Sequence, residues 1–223
     1  MVLSLELSSS RRAVAVADLA TESAAQEIAL EQPADLRHTA VFNLIEQALR
    51  KAGNRSKADV SRLAIGLGPG SYTGIRVAIS VAQGWAAGRP VELVGVPAIR
   101  ILQEQLRRSG FQGPVLLAFD AQRGELYAAR GIVTREGATL DHPLRLMSVE
   151  EALQHQQGGT PVMGPDLGRL VPQSIPLFPS ASILAELART SREFLAPESL
   201  EPVYLRETAF VKLSPPPPPQ PAR

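Results

Sequence analysis

The chain contains no cysteine, which excludes disulfides, thiolate zinc sites and cysteine nucleophiles. Its three histidines, His38, His142 and His155, lie too far apart for a paired metal-ligand motif. Lysine is almost missing. Of 23 basic residues only Lys51, Lys57 and Lys212 are lysine, the rest are arginine, and the formal net charge is +1. With neither sign in excess there is no global attraction to nucleic acid. Arg107-Arg108, the nearest thing to a basic cluster, reads as the ordinary basic end of a helix. Aromatic residues make up only 4% of the chain, and Trp85 is the single tryptophan. No apolar run approaches the roughly 20 residues of a membrane-spanning helix. At the N-terminus, MVLSLELSSSRRAV, the arginine pair follows the apolar segment, the reverse of a secretory signal. The expectation is a soluble, cytoplasmic protein with no membrane contact.

What is present suits a folded chain. A hydrophobic fraction of 44% over 223 residues fits one large domain or two small ones. VLSLEL (2–7) alternates with period two and AVAVAD (13–18) follows a polar turn, so the two predict a hairpin, with AQEIAL (25–30) as a third strand. Asp35 stands at an N-cap position, and the apolar residues from Leu36 to Leu49 recur at helical spacing, closed by Lys51 and Gly53. Ser56 can cap a short second helix. RLAIGLG (62–68) and VELVGV (91–96) read as buried strands, with a helix from the loop after Gly68 to about Gly88 and another from Ile99 to Arg108. The second half restarts with strands 114–122 and 124–134, then a strand near 138–147. A helix start at Ser148, a short strand at 160–164 and a helix from Ser180 to Leu195 complete it. The order predicts an α/β fold with mixed sheets in two lobes, 1–100 and 101–208, followed by a proline-rich tail, 209–223, extended and solvated.

The sharpest motif is GPGSYTGIR (68–76), a glycine-rich turn between a buried strand and a helix N-terminus. Such a turn exposes backbone N–H groups at the positive end of the helix dipole. Gly68, Gly70 and Gly74 allow close approach, Ser71 and Thr73 offer hydroxyls and Arg76 a cation. It is neither a Walker A loop nor a dinucleotide fingerprint, so phosphate binding and a capped strand-to-helix turn both remain open. Glu6 beside Ser8–Ser10 is a candidate for Mg²⁺ and a nucleotide phosphate, or a structural carboxylate. Asp120 and Glu125 flank a tight turn and can serve acid/base work, or fix the turn and pair with Arg123. Isolated nucleophilic catalysis has no support, since no G-x-S-x-G elbow exists. The helix after the glycine loop is apolar on two sides. Ile75, Ala78, Ile79, Ala82 and Ala86 mark one face and Val77, Val81 and Trp85 another. The second face needs cover from this chain or from a partner.

VLSLELSSSRRAVAV, LRHTAVFNLIEQAL, GPGSYTGIRVA, DAQRGELYAA and EPVYLR together resemble the TsaB (YeaZ) family of bacterial proteins in threonylcarbamoyladenosine synthesis on tRNA. The resemblance spans about residues 2–206. It implies a two-lobe actin-like, sugar-kinase-like and heat-shock-chaperone-like (ASKHA) fold. It also implies a non-catalytic subunit that binds and activates the transferase TsaD, with the ATPase TsaE as a further partner and tRNA reached only through the complex. Val41, Leu44, Ile45, Ala48, Val77, Val81 and Trp85 would form the partner interface, or a homodimer contact in isolation. This chain would require no cofactor, ATP and Mg²⁺ being used by the partner subunits. The family's Asp-Thr after the first strand stands here as Glu6-Leu7, the Phe of its GPGSFTG is Tyr72, and the proline tail is extra. The alternatives are a nucleotide phosphotransferase or hydrolase using Glu6 and the glycine loop, and a glycoprotease-like peptidase.

Overall fold

A computed structural model describes residues 1–20, 25–30 and 40–203. The expected cap at Asp35, His38 and the proline tail lie outside the described residues. Strands β1 (Val2–Glu6), β2 (Arg12–Ala17), β3 (Gln26–Leu30), β4 (Arg62–Gly66) and β5 (Glu92–Val96) form one sheet in the order β3-β2-β1-β4-β5. The first three are antiparallel neighbours, and β4 and β5 add in parallel. Helices α1 (Ala40–Lys51) and α2 (Tyr72–Gly88) cover one face. The turn that Ser56 caps is a short 3₁₀ helix, Lys57–Asp59, with a reciprocal capping box.

The second sheet repeats the first. Strands β6 (Gly113–Asp120), β7 (Glu125–Val133), β8 (Ala138–Leu140), β10 (Val162–Gly164) and β11 (Ile175–Pro176) run in the order β8-β7-β6-β10-β11. The antiparallel and parallel pairings are the same as in the first sheet. The single strand expected near 138–147 is two, β8 and β9 (Arg145–Ser148), both pairing with β7. Helix α4 (Val149–Gln157) starts on a Ser148 cap and buries Ala152 against this sheet.

The two lobes exchange helices. Helix α3 (Ala98–Arg108), which follows the first sheet, packs Ile99, Leu102 and Leu106 on the second. Helix α5 (Ala181–Thr190), which follows the second sheet, lays Leu184, Ala185 and Ala188 on the first. Residues 181–190, expected within the second lobe, thus complete the core of the first. The helix also ends five residues before the expected Leu195. Ser191 adopts extended backbone, and Leu195 N–H donates to Leu93 O at 2.9 Å, so the chain leaves the helix to run along β5.

Arg62 locks this exchanged helix in place. Its guanidinium donates to the carbonyls of Ala188 at 2.7 Å and Arg189 at 3.0 Å in the last turn of α5, the first of which also accepts from Ser191 N–H at 3.2 Å. It also pairs with Glu92 at 2.7 Å and stacks on Phe194 at 4.7 Å. Arg62→Met keeps the apolar stem, removes these charge-assisted bonds and leaves the Arg189 carbonyl without its donor, so a loss of about 2–3 kcal/mol is expected in urea unfolding. A loss below about 0.5 kcal/mol would show that water serves the carbonyls equally well. Among the described residues no helix is long and apolar enough to cross a membrane.

Candidate functional site

The antiparallel β1–β2 turn brings Ser8, Ser9 and Ser10 to one edge of a cleft of about 510 Å³ between the lobes. Gly70, Ser71, Tyr72 and Thr73 add to the same wall, while Asp120, Gln122, Tyr127 and Asp166 form the opposite one. The two walls are built from equivalent parts of the repeated sheets. The β1–β2 turn faces the β6–β7 turn, and Gly70, in the loop after β4, faces Pro165 and Asp166, which follow β10.

Glu6 does not line this cleft. It is fully buried, and its Oε1 accepts from the Ser8 N–H at 2.9 Å and from the Ser8 hydroxyl. Its Oε2 has no hydrogen-bond partner. Burial pushes its pKa up to about 7, against the opposing pull of the two Ser8 hydrogen bonds. A carboxylate so placed is a structural group of the turn and offers no oxygen to a metal or phosphate in the cleft.

The glycine loop spends much of its character on packing. A Cβ at Gly70 or Gly74 would overlap the carbonyl oxygens of Ser8 and Leu7, so these glycines seat the start of α2 against the β1–β2 turn. Ser71 N–H donates to Ser8 O at 2.6 Å, and the Ser71 hydroxyl caps α2 by accepting from Gly74 N–H at 3.3 Å. Gly68, with φ of 80°, turns the chain out of β4. Thr73 stays exposed on the cleft rim. Arg76 points away from the cleft, its guanidinium 4.1 Å from the Tyr72 ring centroid.

The serine-rich turn has few donors left for a ligand. Ser8 gives both of its donors to Glu6, Ser9 donates its hydroxyl to Arg11 O at 2.9 Å, and Ser10 donates its N–H and hydroxyl to Asp166 at 3.1 and 2.6 Å. Among the described residues no arginine or lysine lines the cleft, while two carboxylates do. The wall does not fit a nucleotide phosphate as it stands.

Of the second acid pair, Asp120 lines the cleft and Glu125 does not. The Asp120 oxygens accept from Gln122 N–H at 2.6 Å and Gln122 Nε2 at 3.2 Å, so glutamine and not Arg123 holds this turn. His142 is exposed and His155 sits half-buried on α4. Among the described residues no group of three or more His, Asp or Glu could hold a metal ion. Asp166, Gln122 and Tyr127 are cleft residues that the sequence reading missed. The repeat of Gly-Pro at 68–69 and 164–165 was the available signal for Asp166.

A second feature lies on the outer face of the first lobe. Helices α1 and α2 leave between them an apolar groove of about 410 Å³ lined by Val41, Phe42, Tyr72, Val77 and Val81. Phe42 and Tyr72 remain 48% and 54% exposed there. Three residues expected at a partner interface are elsewhere. Leu44, Ile45 and Ala48 face the sheet and are wholly buried core, because the apolar stripe of α1 is turned inward. Trp85 is half-buried against the same core with its indole N–H enclosed, so it is a packing residue before it is an anchor. Farther along the exposed side of α2, a Cβ at Gly84 or Gly88 would meet nothing within 4 Å.

Comparison with known proteins agrees with this architecture. Residues 32–163 match the family model of TsaD, tRNA N6-adenosine threonylcarbamoyltransferase. The chain is 30% identical over 198 residues to the tRNA threonylcarbamoyladenosine biosynthesis protein TsaB of Escherichia coli, covering 78% of this chain and 83% of that one. It is 24% identical over 194 residues to the TsaB of Haemophilus influenzae, covering 78% and 81%. The solved structure of YeaZ from Pseudomonas aeruginosa superposes with a TM-score of 0.72 at 25% identity, covering 92% of this chain and 99% of that one.

Proposed function

Because the chain belongs to the TsaB family of tRNA threonylcarbamoyladenosine biosynthesis proteins, we propose that it is the non-catalytic subunit that binds and activates a TsaD-type transferase. The observation that carries this reading is the α1–α2 groove, where two exposed aromatic side chains flank a floor of three valines that also pack on the core. Exposed aromatics rimmed by polar residues are what interface hot spots are made of. The glycines of α2 support the same reading. Gly84 lies mid-helix, where it costs about 1 kcal/mol relative to alanine, and the chain itself gains no contact from it. A helix face kept this small suits close approach by another helix.

In this role the chain supplies a surface and no reacting group. The transferase, which shares its family model with this chain, would carry the chemistry, with ATP and Mg²⁺ used by the partner subunits. A TsaE-type ATPase is the further partner, and tRNA is met through the assembly, in keeping with the near-neutral charge. A second copy of this chain would occupy the same groove when the transferase is absent. Sedimentation of the chain mixed with a TsaD-type transferase is expected to give a one-to-one complex in place of the free species. Two unshifted boundaries at micromolar concentration would refute the reading.

A further inference from the structure

We propose that Asp166 is a built-in occupant of the anion position in the inter-lobe cleft, and that it excludes phosphate groups from a turn otherwise shaped to bind them. Ser10 turns two donors to the same side, and the Asp166 carboxylate from the opposite lobe takes both, its Oδ2 accepting from the N–H at 3.1 Å and its Oδ1 from the hydroxyl at 2.6 Å. Two donors on one side of a turn after a strand form a small anion-binding concavity. Here the anion is part of the chain. Hydrogen bonds to a charged acceptor are the stronger kind, and a tethered carboxylate competes at a local concentration that free phosphate does not reach.

The backbone is set for this contact. Asp166 holds φ of 56°, a left-handed conformation that glycine, asparagine and aspartate adopt more readily than other residues, and it follows Gly164-Pro165 at the edge of the cleft. After the other Gly-Pro of the chain, Gly68-Pro69, the residue that reaches the cleft is Gly70, which has no side chain to project. The other carboxylate among the described residues of the cleft, Asp120, accepts from Gln122 and makes no bond to Ser10. It adds negative charge without taking the donors. The other hydroxyls of the turn are already committed to Glu6 and to Arg11 O, so the Ser10 pair is what phosphate would have to win. This inference concerns the cleft and stands independently of the α1–α2 groove and its partner.

Calorimetric titration of the full chain with inorganic pyrophosphate and with Mg-ATP tests it. The wild-type chain is expected to show no saturable binding below about 1 mM. Asp166→Gly, which suits the positive φ and recreates the Gly-Pro-Gly of the first lobe, is expected to bind at least tenfold more tightly. Asp166→Asn, which keeps the conformation and removes the charge, should gain by a smaller factor, and Asp120→Ala should gain less than either. Thermal melts of each variant establish that the titrated species is folded. Tight binding by the wild-type chain, no gain in folded Asp166→Gly or Asp166→Asn, or an equal gain in Asp120→Ala would each overturn the proposal. The last result would assign the exclusion to general cleft charge.

Discussion

Phe42→Asp is expected to weaken association with the transferase by about 30-fold or more, the 2 kcal/mol threshold of an interface hot spot, while leaving the isolated chain as stable as before. The asymmetry follows from its position. Phe42 is 48% exposed on α1, so the monomer loses little when it is replaced, whereas a charge at the centre of a desolvated groove is costly to the complex. Val81→Asp should have the same effect on binding with some loss of monomer stability, because Val81 also packs on the core. Gly84→Leu separates the two properties further. Space around Gly84 is open, and leucine favours a helix by about 0.8 kcal/mol over glycine, so the monomer should become more stable. Association should nevertheless fall. Calorimetric binding beside thermal melts reads both quantities, and undiminished affinity in all three variants would place the interface elsewhere.

The second large effect concerns pH. Glu6 is buried with its pKa raised to about 7 from the ordinary glutamate value of 4.5. Between those values the native state binds a proton that the unfolded chain has released, so stability falls as pH rises through this window and levels off above it. The full difference is about 3 kcal/mol, and roughly 2 kcal/mol of it falls between about pH 5.5 and pH 8.5. Glu6→Gln has no proton to lose. Urea unfolding of both proteins at the two pH values should therefore show a wild-type loss that the variant lacks, the groups titrating elsewhere being common to both. Parallel profiles would mean that Glu6 is solvated and ionised in the native chain. The rest of the turn can still form in the variant, because glutamine Oε1 accepts from the Ser8 donors as the carboxylate does.

Periodicity carried much of the fold. The β1–β2 hairpin, the buried strand β4 and the helices α2 and α3 stand close to where alternation and helical spacing place them, since each has a long enough apolar pattern to be read locally; β5 is where it was expected but is the edge strand, with only Leu93 and Val94 buried. The misses have physical causes. β11 is two residues long and exists because β10 is beside it. Helix α5 stops at Thr190 although Phe194 and Leu195 continue the apolar pattern, because those residues serve contacts to Arg62 and β5. On α1, spacing identifies an apolar stripe but not which side of it meets the sheet. Leu44, Ile45 and Ala48 consequently read as interface, while the exposed Phe42 went unremarked. The cleft was legible on one side only. GPGSYTGIR marks the first wall, whereas Asp166 meets Ser10 across 156 residues of sequence, beyond any local pattern. Glu6 was visible as a residue but not as a buried one, since its environment is made by Ser8 and by the sheet that closes over both.

The most direct measurement is tRNA threonylcarbamoylation reconstituted from the TsaD-type transferase, the TsaE-type ATPase and the enzyme that forms the adenylate, with and without this chain. Modification is expected to depend on the chain, to be retained by Asp120→Ala and to be lost in Phe42→Asp. Modification that proceeds equally well without the folded chain would contradict it.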